Sequence, residues 1–198
     1  MPQQIHARIR ELYPDPNTHD FILYTDGSGH ADGYGGSACL VQSNSHKKRA
    51  IHLAAYSNTS TDRAEFEGLL NGLQSIVEMM QWKSPSDYAA LEQRPRKLTV
   101  GWVTDRESLA LSVWRQEDGT TVYQRKKQGD LWARYEYYEK IFLVTPYVIA
   151  RNSTTTHAYV DRLASEARIL IKEYMEILQT EQAHGELQDT TYSGLAST

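Results

Sequence analysis

Asp26 in Tyr24-Thr25-Asp26-Gly27-Ser28-Gly29, Glu65 in Asp62-Arg63-Ala64-Glu65-Phe66, Asp105 in Val103-Thr104-Asp105-Arg106 and Asp161 in Tyr159-Val160-Asp161-Arg162-Leu163-Ala164 stand at four separate element boundaries of the chain. Two carboxylates about 4 Å apart repel by roughly 4 kcal/mol at an effective dielectric of 20, so a cluster of four calls for cations between them. Mg²⁺ and Mn²⁺, which prefer oxygen ligands, suit such a set. Two such ions about 3.5–4 Å apart are a recurrent device for phosphodiester hydrolysis.

Each acid also has an ordinary reading. Asp26 could end a strand as a turn residue, and Asp105 could cap the helix that follows it. Glu65 lies three residues after Asp62, the spacing of a capping box. Helical phase separates the two glutamates of that segment: Glu65 stacks with Leu69, Gly72 and Ile76 toward a sheet, whereas Glu67 stacks with Asn71, Gln74 and Glu78 and is expected to face solvent. Asp161 falls in the first turns of a helix, where the dipole favours acids in any case.

The elements that must position these groups follow from periodicity. A short helix over residues 5–13 ends at Pro14-Asp15-Pro16-Asn17, so residues 1–20 read as an N-terminal extension. Three apolar segments, 21–24, 36–42 and 50–56, are separated by turn-rich stretches and should form an antiparallel meander. A helix over 62–80 follows, then a polar stretch 82–97, a strand 98–104, a short helix 106–114, an irregular segment 115–129, a helix 130–140, a strand 141–150 and a long helix 157–179. The pattern implies an α/β domain over residues 21–180 with helices on both faces of one mixed sheet. Pro146 fits an edge strand because it cannot donate to a ladder. Residues 181–198 lack periodicity and are expected to form a disordered tail.

Bulk properties narrow the partners. The chain has 198 residues and a formal net charge of −4, with 21 basic and 25 acidic residues, which argues against a general nucleic-acid coat. Binding to nucleic acid would need a local patch. Arg125, Lys126 and Lys127, with Trp114 and Tyr123 nearby, supply one. The single Cys39 cannot form an intrachain disulfide and reads as a small buried hydrophobe, consistent with a reducing compartment. The polar start Met1-Pro2-Gln3-Gln4 does not read as a signal peptide, and no apolar run reaches the length of a membrane span, so a soluble cytoplasmic protein with no membrane partner is expected. Oligomeric state is not legible.

The order of these motifs resembles the ribonuclease H family. Strand-Asp26-Gly27-Ser28, the Gly-rich hairpin Gly33-Tyr34-Gly35-Gly36-Ser37-Ala38, Arg63-x-Glu65 opening a helix, strand-Thr104-Asp105 and a late helix carrying Asp161-x-Leu163-Ala164 occur in the family's sequence order, over residues 21–168. The resemblance implies a five-stranded mixed sheet of order 3-2-1-4-5. It also implies a metal-dependent endoribonuclease that cuts the RNA strand of RNA/DNA hybrids with two Mg²⁺ or Mn²⁺ ions, leaving 3′-hydroxyl and 5′-phosphate ends. Asp26 and Asp105 would hold the ion pair, and Glu65 and Asp161 would each complete one side. Gly27, Ser28, Gly29, Ser60, Thr61, Arg106 and Arg151 would contact substrate, with Arg125, Lys126 and Lys127 as a basic grip.

Some positions depart from the family. Two asparagines and a glutamine that read the hybrid in many bacterial members correspond here to Thr61, Asp62 and Glu107, and ionised Asp62 and Glu107 cannot donate hydrogen bonds. A nuclease for another nucleic acid, such as branched DNA, and a non-catalytic binding scaffold therefore stay open. Arg151 stands where family members often carry a loop histidine. His157, one helical turn before Asp161, is the alternative catalytic group, although a histidine at a helix start is more often exposed. The expectation is that metals and water suffice and that removing His157 costs less than about tenfold in turnover.

Overall fold

The structure, a computed structural model, describes residues 18–45, 47–81, 89–90, 93, 96–114, 128–151 and 153–193, with 182–193 described by backbone alone. The expected helix over 5–13 and the basic residues Arg125, Lys126 and Lys127 lie outside these. Strands β1 (Phe21–Gly29), β2 (Gly35–Ser43) and β3 (Arg49–Tyr56) form the meander, followed by helix α1 (Thr61–Met79), β4 (Leu98–Thr104), α2 (Glu107–Val113), α3 (Gly129–Glu139), β5 (Phe142–Val148) and α4 (Thr155–Ser193). The sheet order is β3-β2-β1-β4-β5, as expected. β1 pairs antiparallel with β2 and parallel with β4, and β4 pairs parallel with β5. β5 is an edge strand, which accommodates Pro146.

β1 is buried on both faces, so its apolar residues run without polar interruption. Phe21 and Leu23 join a core with Phe66, Leu69, Leu73 and Ile76 of α1, together with residues of α2 and α3. Ile22 and Tyr24 join a smaller core on the other face, with Val160 and Ala164 of α4. Two glycines set how close the helices come. A Cβ on Gly36 would stand 2.3 Å from the Ala164 carbonyl oxygen, so α4 lies directly on β2. A Cβ on Gly27 would stand 2.2 Å from the Glu65 nitrogen, so the first turns of α1 rest on the end of β1. Cys39 is buried, and burial pushes its thiol up to about 11.

The last helix runs well past residue 179, through Ser193. The expected tail therefore begins as helix as far as the described residues go. Absence of an apolar stripe removes a reason to pack, not a reason to form a helix: two Glu, two Gln, Ala183 and Leu187 within 181–193 are good helix formers. Among the described residues no helix is long and apolar enough to cross a membrane.

Candidate metal and catalytic site

Register brings the first pair of acids together. Tyr24 is the partner of Val103 across the parallel β1–β4 ladder, and extending that register by two residues sets Asp26 beside Asp105. Their side chains then share the face occupied by Tyr24, Val103 and α4. On the opposite face Trp102 Nε1 donates to Thr25 Oγ1 at 2.7 Å, a buried bond that locks the two strand ends against each other.

Glu65 comes from α1. Ser60, not Asp62, caps that helix: its hydroxyl accepts from the Arg63 amide at 3.3 Å. Glu65 is thus not half of a capping box, and its carboxylate is 4% exposed with Oε2 lacking any hydrogen-bond partner. Burial first, then Asp26 and Asp105, hold its pKa well above the ordinary glutamate value. Asp26 is pushed from 3.8 up to about 7, by burial, then by Asp105, then by Asp161, with Arg151 pulling the other way.

Asp161 enters from α4, where Arg151 Nη2 donates to its Oδ1 at 2.9 Å. His157 is on the same helix, one turn earlier, and its amide donates to the Thr154 hydroxyl at 3.1 Å, which fixes the first turn. The expected exposure is not found: His157 is 0% exposed. One donor atom from each of Asp26, Asp105 and His157 lies within 4.8 Å of the other two. Burial lowers the His157 pKa against the opposing pull of Asp105 and Asp161, which favours a neutral ring. The structure therefore draws Asp26, Glu65, Asp105, Asp161 and His157 into one electrostatically coupled cluster at the ends of β1 and β4.

Among the described residues expected to touch substrate, several are engaged within the fold. Ser28 Oγ accepts from Arg168 Nε at 3.0 Å, and the Thr61 hydroxyl donates to the Gly29 carbonyl at 3.3 Å. Arg168 is not among the residues that sequence reasoning singles out, although its place seven residues after Asp161 puts it on the same helical face. Arg106 pairs with Asp62, so the acid that cannot itself donate to a hybrid is matched by a guanidinium that can. Glu67 corrects an expectation. It is 8% exposed and accepts from Arg134 Nη1 at 2.7 Å, because α3 covers the polar side of α1 that reads as solvent-facing in sequence.

No protein-family model and no curated protein matches the sequence. Solved structures do share the fold. LC11-RNase H1, isolated from compost by a metagenomic approach, is 18% identical, with a TM-score of 0.55 over 77% of this chain and 98% of that one. LC11-RNase H1 in complex with an RNA/DNA hybrid is 19% identical, with a TM-score of 0.50 over 76% of this chain and 98% of that one. The foamy viral protease-reverse transcriptase in complex with dsDNA is 13% identical, with a TM-score of 0.52 over 79% of this chain and 98% of that one. The chain has the ribonuclease H-like fold.

Proposed function

We infer that this chain is a ribonuclease H-like phosphodiester hydrolase that cuts the RNA strand of RNA/DNA hybrids, using divalent ions held by Asp26, Glu65, Asp105 and Asp161. The observation that carries this reading is the cluster itself. Glu65 Oε2 is buried without a partner and the His157 ring without a well-aligned one, beside an Asp26 whose carboxyl is pushed to about 7 by burial and its neighbours. Such a donor set, acidic, converging and repulsive when empty, fits Mg²⁺ or Mn²⁺. When bound, two such ions would supply a water of lowered pKa for in-line attack and positive charge at the departing 3′ oxygen.

The chain's own groups have separate tasks. Asp26, near the end of β1, and Asp105, just past the end of β4, would hold the ions together with Glu65 and Asp161. Arg151 holds one Asp161 oxygen in place and adds a fixed positive charge at the rim, where its side chain is 70% exposed and open to a phosphate. Gly27 would act from beneath by letting α1 sit close, and Ser28 and Gly29, half-buried at the end of β1, with the α1 start at Ser60 and Thr61, would offer an edge for minor-groove contact with sugars. Arg106, tied to Asp62, lies beside it. The basic segment containing Arg125, Lys126 and Lys127 would grip the duplex backbone.

A cleavage assay on one sequence prepared as RNA/DNA hybrid, double-stranded RNA and DNA junction tests the substrate. Cutting confined to the RNA strand of the hybrid, with 3′-hydroxyl products, is expected. Preference for the junction would assign the same site to a different nucleic acid.

A further inference from the structure

His157 is fully buried in the first turn of α4, and its ring nitrogens have no well-aligned hydrogen bond, only a loose approach to the Thr25 backbone. A buried polar group left poorly paired costs up to about 1–3 kcal/mol, so the imidazole needs a reason to be there. Packing alone is a poor one, because an apolar residue at this buried position would fill the space without that cost. Nor does burial suit a proton carrier that must reach bulk water. What the ring does reach is a pair of carboxylates: a His157 nitrogen lies within 4.8 Å of an oxygen of Asp26 and of Asp105. Closing the trio around one ion, with bonds of about 2.1 Å, would need the donors to move inward. The Thr154 hydroxyl fixes the backbone of this first turn, and the four-residue spacing puts His157 on the same helical face as Asp161.

We propose that His157 is a direct nitrogen ligand to an ion held by Asp26 and Asp105, and that it makes this site prefer Mn²⁺ to Mg²⁺. The inference rests on the metal-dependent reading above and adds a donor outside the four carboxylates. Mg²⁺ keeps an oxygen shell and sheds water reluctantly, whereas imidazole suits first-row transition ions, so the nitrogen should discriminate between them. On this assignment replacing His157 weakens metal binding, and the turnover of the metal-saturated enzyme changes less.

Electron spin echo spectroscopy of the full chain loaded with substoichiometric Mn²⁺ provides a test that does not depend on activity. Nitrogen modulation from a coordinated imidazole is expected, and labelling histidines with ¹⁵N should change it. Calorimetric titration of His157→Asn, with circular dichroism as the folding check, should show Mn²⁺ affinity reduced at least about tenfold and Mg²⁺ affinity changed by less than about threefold. Mn²⁺ bound without nitrogen modulation in the wild type, or an equal loss for both ions in the variant, would overturn the proposal and leave the carboxylate site standing. Failure of the wild type to bind either ion at millimolar concentration would overturn both readings. Should His157→Asn not fold, the wild-type spectrum still decides.

Discussion

Arg151 Nη2 and Asp161 Oδ1 meet at 2.9 Å, so the acid contributed by the last helix is held by a residue of the loop that leads into that helix. Arg151 also lowers the pKa of Asp26 against the stronger upward pull of burial, Asp105 and Asp161. Arg151→Ala should therefore move the Asp26 titration above about 7 in the metal-free protein, measured by carboxyl carbon NMR. Because the arginine is mostly exposed, the stability change should stay under about 1 kcal/mol. A downward shift at Asp26 would contradict this placement of Arg151.

The cluster makes the metal-free protein sensitive to pH. An acid whose pKa is raised on folding contributes stability below its unfolded value and loses it as pH climbs through the folded value. For Asp26 that window runs from 3.8 to about 7. Metal-free protein should lose up to about 1.4 kcal/mol per pH unit per such group across it. Asp105→Asn removes one of the repelling charges, so its metal-free Tm at pH 7 should exceed that of the wild type and its pH slope should flatten. Added Mn²⁺ should raise the wild-type Tm by mass action and the variant's less. A variant less stable than wild type at pH 7 without metal would count against mutual repulsion.

Close packing of α4 on the sheet depends on Gly36. Gly36→Ala sets a methyl group 2.3 Å from the Ala164 carbonyl oxygen, where something must move. Overpacking of this kind costs about 1–3 kcal/mol, and the shift of α4 should also displace His157 and Asp161. Denaturant unfolding should show the loss, and Mn²⁺ affinity should fall with it. Unchanged stability and affinity would mean that α4 does not sit where the structure has it.

Arg125, Lys126 and Lys127 form a run of three consecutive cations in the segment expected to grip the duplex. Their joint replacement by Ala should weaken hybrid binding and reduce the salt slope by roughly 2–3, at about 0.9 for each phosphate no longer neutralised. Turnover at saturating substrate should hold. An unchanged salt slope would assign the segment to ordinary solvated loop.

Much of the frame is legible in the sequence because the signals are local. The uninterrupted apolar run of β1 and the helical phase of Glu65 each follow from a few neighbouring residues. The edge position of Pro146 rests on a missing donor and is equally readable. Long-range packing is not readable in the same way. Glu67 reads as solvent-facing because nothing in its own helix reveals that α3 lies across it and that Arg134 pairs with it. His157 reads as exposed because α4 starts two residues earlier than its periodicity indicates, with Thr154 as the capping side chain, which turns the ring toward the sheet. The Asp62–Arg106 pair joins two elements 44 residues apart, so the neutralisation of Asp62 cannot be seen from its own surroundings.

On the proposed mechanism Asp105 serves ion-dependent hydrolysis and not the fold. Purified wild type and Asp105→Asn should be compared on a labelled RNA/DNA hybrid with Mg²⁺, with Mn²⁺ and with excess chelator, after circular dichroism and thermal melts establish that both are folded. RNA-strand cleavage by wild type with either ion, none with chelator, and a loss of at least about a hundredfold in the variant are the expected results. Equal cleavage by the variant, or wild-type cleavage that survives the chelator, would contradict that role.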